Sequence, residues 1–427
     1  MTMPLDSPTV RAQFPALQRD CIYFDNPGGT QVARSCLERM SRYLVETNAN
    51  HGGAFRTSRE SDALVDQARQ AAADFLNARR PEEIVFGANM TTLTYQVSRA
   101  LGRILNPGDT LVVTRLDHDA NISPWVQLAE ERGCRVRWVD IDPADCTLDL
   151  ADFEAALDER PKLAAFGYAS NATGTVNPVE KMTALAHEAG AVVYIDAVQF
   201  APHGPIDVQQ LGCDFLVCSA YKFFGPHLGV LYGRYELLES LPAYRVRPAP
   251  AMPPGKFETG TGNFEGMAGL LGALEYLEWL GYLYGEDYLE LYAEEYDGRR
   301  QVLKQAMSVV RSYEFELSRA LIETLRAVPG ARIYGIQEPL RLTERVPTIS
   351  FTLAGHAPDA VAGYLAERGI NVWSGNFYAL AVTERLGLES AGGLVRIGAT
   401  HYNTVKEIEK LGDALYALQR GRPAGGA

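Results

Sequence analysis

Residues 214–227 read Asp214-Phe215-Leu216-Val217-Cys218-Ser219-Ala220-Tyr221-Lys222-Phe223-Phe224-Gly225-Pro226-His227. Phe215–Val217 is a short apolar run of the kind that forms a buried strand. A lysine follows among aromatic residues, with no acid beside it. A solvated lysine has no need of that setting, and a buried one is costly unless its amine is used. The stretch therefore predicts a strand whose carboxyl end delivers a working lysine.

On either side the same pattern repeats. Ile84–Phe86, Leu111–Val113, Val136–Val139, Leu163–Phe166, Val192–Ile195 and Gly229–Tyr232 are further short apolar runs, separated by helix-like segments and by turns such as Asn106-Pro107-Gly108-Asp109. With Phe215–Val217 they make seven strands. Buried runs alternating with helices predict an α/β domain with a mainly parallel sheet, where ligands gather at the carboxyl ends of strands. A Pro-rich stretch from Leu241 to Gly262 predicts neither helix nor central strand. Residues 264–328 read as helical. The remainder alternates strands (Thr348–Leu353, Asn371–Trp373, Leu394–Ile397) with helices, which is α+β character. The Gly/Pro-rich tail from Gly421 to Ala427 reads as disordered.

Composition narrows the function. The 427 residues carry a net charge of −13, with no long basic run, which argues against a nucleic-acid partner. The N-terminus has neither the basic nor the apolar region of a signal peptide, and no long uncharged apolar stretch suggests a membrane span. Six cysteines without CxxC spacing read as reduced cytoplasmic thiols, and seven histidines without HExxH pairing give no metal site.

Asp196 ends the strand Val192–Ile195, and Lys222 follows the strand Phe215–Val217. Neighbouring strand ends can aim both into one crevice. A buried lysine with a lowered pKa forms a Schiff base with an aldehyde, and an aspartate opposite can hold a protonated pyridine nitrogen. That pairing describes pyridoxal 5′-phosphate (PLP). Met90, Thr91 and Thr92, where a strand gives way to a helix, suit its phosphate. His118, after Leu111–Val113, can stack on its ring.

On these residues the chain resembles the class V branch of the fold-type I PLP enzymes, and within it the cysteine desulfurase-like group. The likeness runs from Phe24-Asp25-Asn26-Pro27-Gly28-Gly29-Thr30-Gln31 to Val395-Arg396-Ile397-Gly398. It implies a large PLP-binding domain (20–285), a smaller α+β C-terminal domain (286–427) with segment 1–19 packed on it, and a cytoplasmic homodimer with its active site at the interface. It implies that Lys222 carries the cofactor, Asp196 faces the ring nitrogen and His118 stacks on the ring. Asn171 and Gln199 lie near the ring oxygen. Thr91, Ser219 and Tyr221 hold the phosphate, with Met90 or Thr92 close by. Thr261 reaches it from the other subunit. Arg396 grips the carboxylate of an amino-acid substrate. Tyr378, His51 and Arg56 are further candidates for substrate contact.

One position departs from the pattern. Desulfurases take sulfur on a loop cysteine. Here the loop reads Val372-Trp373-Ser374-Gly375-Asn376-Phe377-Tyr378-Ala379-Leu380, and no cysteine occurs after Cys218. A phenol cannot carry a persulfide. The leading expectation is therefore C–S cleavage by β-elimination, from cysteine or a cysteine S-conjugate. Aminotransfer, epimerisation, and decarboxylating or oxidative deaminating chemistry use the same residues. A non-catalytic PLP-fold scaffold is a different class of answer.

Overall fold

A computed structural model of the chain describes residues 5–421. Residues 1–4 of the N-terminal segment, and the expected disordered tail beyond Gly421, lie outside the described residues.

A short strand β1 (Ile22–Tyr23) precedes the seven strands read from the sequence: β2 (Ile84–Gly87), β3 (Thr110–Thr114), β4 (Arg135–Val139), β5 (Leu163–Gly167), β6 (Val192–Asp196), β7 (Phe215–Ser219) and β8 (Gly229–Gly233). The seven form one sheet in the order β2-β8-β7-β6-β5-β3-β4. The pairs from β4 through β7 are parallel, while β8 runs antiparallel to both β7 and β2. The sheet is thus mixed, though mainly parallel.

Side-chain alternation explains why these runs are apolar throughout. Ile84, Phe86, Val112, Phe166, Ile195, Leu216 and Val230 enter one core. Val85, Leu111, Val113, Ala165, Tyr194, Val217 and Leu231 enter a second on the opposite face. A sheet covered by helices on both faces leaves polar residues only at strand ends, such as Thr110, Thr114, Asp196 and Ser219. At the edge, β4 instead carries Arg135 and Arg137, which pair with Glu159 and Asp152, as an uncovered strand should.

The first core is closed by the helix Phe264–Tyr284, buried on most of its circumference. Its two interrupting acids are paired, Glu275 with Arg39 and Glu278 with Arg299. Among the described residues no helix is long and apolar enough to cross a membrane. The 30-residue helix Gly298–Ala327 then spans two cores. Leu303, Met307 and Val310 join the first, and Leu317, Leu321 and Leu325 join a third.

That third core lies under a four-stranded antiparallel sheet. Its strands come from β9 (Ala331–Tyr334), β10 (Thr348–Leu353), β12 (Trp373–Gly375) and β13 (Leu394–Gly398), in the order β12-β13-β10-β9. The run expected at Asn371–Trp373 is two strands. β11 (Ile370–Asn371) pairs in parallel with β1, and β12 turns away to pair with β13. Strand β9, which sequence reading left out, pairs with β10.

Candidate active site

Five strands of the large sheet point their carboxyl ends to one edge. The chain leaves β2 into the helix Met90–Gly102, β3 into Asp117-His118, β5 into the Asn171 loop, β6 at Asp196, and β7 into the turn Ala220–Lys222. Opposite them stand Trp373, Phe377, Tyr378 and Arg396 from the C-terminal region, with Asp25, Pro27 and Gly28 from the N-terminal one. These groups enclose a cavity of ≈880 Å³.

Lys222 and Asp196 share that cavity and are both buried. Burial and the nearby Arg396 guanidinium push the Lys222 ammonium down to about 7, against the pull of Asp25 and Asp196. Its Nζ donates to the Pro27 carbonyl oxygen. Near neutral pH the amine is therefore substantially free, as a nucleophile or base requires. Burial raises the Asp196 carboxyl to about 6, opposed by the Val198 N–H, which donates to Oδ1 at 2.9 Å, and by Lys222.

His118 is held neutral, pushed down to about 4 by burial first and then by Lys222 and Arg396. Its Nδ1 accepts from the Ala120 N–H at 3.0 Å, so Nε2 carries the proton. The Tyr378 ring stacks on it, centroids 5.6 Å apart and planes 16° apart. The Asp119 N–H donates to the Tyr378 carbonyl oxygen at 2.6 Å, and Asn171 Nδ2 to the Phe377 oxygen at 2.8 Å. Both Phe377 and Tyr378 have positive φ, 58° and 57°. Two bulky residues in the left-handed region mark a loop held by its surroundings. Tyr378 itself is 74% exposed.

Two parts of the lining could hold an anion. Asn89 caps the helix Met90–Gly102 through Thr92, and Ser219 Oγ accepts from the Met90 N–H at 3.0 Å. Thr91 and Thr92 stand beside that N-terminus, where backbone dipoles favour a phosphate. Arg396 bonds Asp25 at 3.1 Å and the Asn171 carbonyl oxygen at 3.2 Å, while its Nε is buried with no partner. A guanidinium has five N–H donors, so most of its fork is left for an incoming carboxylate. Asn171 Oδ1 is likewise buried and unpartnered.

This donor set fits PLP. It offers a buried amine of lowered pKa, an acid on the same wall, a neutral imidazole for the ring face and a helix N-terminus for the phosphate. Gln199 lines the cavity too, with Nε2 bonded to Thr348 Oγ1 at 2.9 Å. Tyr221 does so with His227 stacked on it at 4.9 Å. His51, Arg56 and Thr261 are not in this chain's cavity: all three are exposed, and Arg56 pairs with Glu60. Among the described residues no cysteine lines the cavity.

Sequence reading passed over two acids. Asp25 pairs with Arg396 only because β1 and the segment after it are stitched to β11 and β13, 348 residues and more away. Asp117 lies 2% exposed beneath the cavity and accepts from the Gly167 N–H and from Asn121. Burial and neighbouring Asp196 push it up to about 8. The available signal was an acid directly between a buried strand and a histidine. Both Asp117 and Asp119 line the cavity, and which of them is buried is a matter of backbone geometry.

The aminotransferase class-V family model matches residues 22–296 and 300–411. A cysteine desulfurase of Synechococcus elongatus is 34% identical across 96% of this chain, which spans only 63% of that relative's length. A cysteine desulfurase of Pectobacterium atrosepticum is 34% identical across 98% of the chain and 99% of its own length. Among solved structures, the apo cysteine desulfurase of Thermococcus onnurineus NA1 superposes with a TM-score of 0.85 at 28% identity, covering 99% of this chain and 100% of its own.

Proposed function

Because this chain belongs to the class-V aminotransferase family, we propose that it is a PLP-dependent enzyme acting on an amino acid, and that its reaction is C–S cleavage by β-elimination. The observation that carries the reading is the cavity itself. Lys222, Asp196 and Arg396 face one space, and the loop facing His118 presents Tyr378 and no thiol. The chain's six cysteines are Cys21, Cys36, Cys134, Cys146, Cys213 and Cys218, none in the lining. Burial pushes Cys36 and Cys146 up to about 12, and Cys213 and Cys218 higher still. None of these four is suited to be a thiolate nucleophile.

When bound, PLP supplies the electron sink that stabilises negative charge at the substrate Cα. The chain's residues do the rest. Lys222 would hold the cofactor through Nζ, and with that nitrogen free it would take the Cα proton. Asp196 would keep a proton on the ring nitrogen. The free donors of Arg396 orient the carboxylate. The Cβ–S bond breaks with its electrons going to sulfur, which leaves as a thiol once protonated. Water then hydrolyses the remaining fragment to pyruvate and ammonia.

The division at residues 20–285 and 286–427 belongs to the same proposal, supported by the separate cores beneath the two larger sheets. So does the homodimer, in which exposed Thr261 serves the partner's phosphate site. Six unpaired cysteines support a reducing, cytoplasmic setting.

The test is incubation of purified, PLP-loaded protein with cysteine and with cysteine S-conjugates. Equal amounts of pyruvate, ammonia and thiol are expected. Amino transfer to a keto acid alone would reassign the reaction to transamination. A racemised or decarboxylated product would reassign it to other Cα chemistry.

A further inference from the structure

A second polar cluster, which the proposed reaction does not use, stands behind the cavity wall. His203 Nδ1 is 2.7 Å from Glu314 Oε2, with the two side chains 3% and 2% exposed. His203 follows Gln199 by four residues, and its Nε2 lies 3.4 Å from Gln199 Nε2. The same Gln199 nitrogen reaches Thr348 Oγ1 at 2.9 Å. Glu314 Oε1 is buried and has no partner. His203 and Glu314 also line a separate cavity of ≈530 Å³, so the pair can exchange protons without opening the active site.

A buried acid–imidazole pair adds little to stability by itself, because desolvation cancels most of the attraction. Its place behind Gln199 gives it another use. The Glu314 carboxylate requires an N–H at Nδ1. With the ring neutral, Nε2 is a bare acceptor. It then takes one N–H of the Gln199 amide, Thr348 takes the other, and the amide oxygen faces the cavity. With the ring protonated, Nε2–H demands an acceptor. The amide then fits the other way round, the Thr348 hydroxyl donates instead of accepting, and the NH₂ faces the cavity.

We propose that His203, held by Glu314, is a positioning residue of the active site, whose protonation state selects the end of the Gln199 amide presented to the cofactor's ring oxygen. The inference rests on the proposed cofactor site. The titratable and charged groups around His203 are Glu314, Arg311 and Glu316 from the helix Gly298–Ala327, Tyr288 and Tyr292 before that helix, Arg345 before β10, and His401 and Tyr402 after β13. An NH₂ facing the ring oxygen favours its deprotonated form, and a carbonyl oxygen favours its hydroxyl.

The experiment compares PLP-loaded wild type, Glu314→Gln, His203→Gln and the control Tyr313→Phe, by cofactor titration and by the pH profile of the bound cofactor's absorbance. Glu314→Gln removes the carboxylate that fixes the N–H of His203 at Nδ1. Its absorbance midpoint should shift by about half a unit or more, with cofactor affinity weaker by roughly three- to tenfold. Glu314→Asp should restore much of both, and Tyr313→Phe should change neither. Folded Glu314→Gln and His203→Gln proteins with wild-type midpoint and affinity overturn the inference. If neither folds, neutron diffraction from wild-type holoprotein decides. The amide nitrogen must face a bare Nε2, or its oxygen a protonated one, and the opposite matching overturns the inference. A wild type that takes up no PLP overturns the proposed function, and this inference with it.

Discussion

Lys222 costs the apoprotein stability, and the sign of that cost is measurable. In the unfolded chain a lysine holds its proton to about 10.4, whereas the folded Lys222 releases it at about 7. Between those values unfolding takes up a proton, so stability rises with pH. Below about 7 the cost is complete, and above 10.4 it is gone. We expect Lys222→Met apoprotein to be more stable than wild type at pH 7, by on the order of 3–5 kcal/mol before relaxation. The gain should shrink toward zero by pH 10, followed by urea denaturation. A pH-independent gain would contradict the lowered lysine. The lysine was legible in sequence because its aromatic setting is local. Its partners were less so: Asp25 reaches Arg396 across most of the chain, and nothing near either residue announces the pair.

The strands were legible for a reason that belongs to elements. A sheet covered on both faces forces unbroken apolar runs, and all seven stood out. β9 did not, because Ala331 and Arg332 keep its first half partly exposed. The break between β11 and β12 was hidden too, since Val372 continues the apolar pattern across it. Two local devices in these connections are testable. Asn89 accepts from the Thr92 N–H at 2.9 Å at the proposed phosphate site. Asn89→Ala should cost about 1 kcal/mol in thermal denaturation and weaken PLP binding in titration. Gly174, in the loop that presents Asn171, has φ 78°. A Cβ there would run into the Thr348 carbonyl oxygen and stand 2.9 Å from that of Val346. Gly174→Ala should lower stability by several kcal/mol, since strain and backbone overlap add. A melting temperature like that of wild type would show that the loop adapts.

The cavity exists only because three distant parts of the chain meet. The large sheet supplies Lys222 and Asp196, the C-terminal sheet Arg396, and the N-terminal segment Asp25. Sequence order hides this meeting, and only the family resemblance placed Arg396 with the strand-end residues. The proposed subunit interface is hidden more deeply still. Sedimentation should give twice the 46.9 kDa chain mass, and Thr261→Ala should weaken PLP binding without changing that mass. A monomer that binds PLP tightly would remove the partner from the site. The central claim, that this cavity holds PLP on Lys222 opposite Asp196, is tested most directly by loading the protein with PLP, reducing it with borohydride and mapping the adduct by mass spectrometry. The account predicts a pyridoxyl group on Lys222 and none in Lys222→Ala. An adduct on another lysine such as Lys304, or no adduct at all, would contradict it.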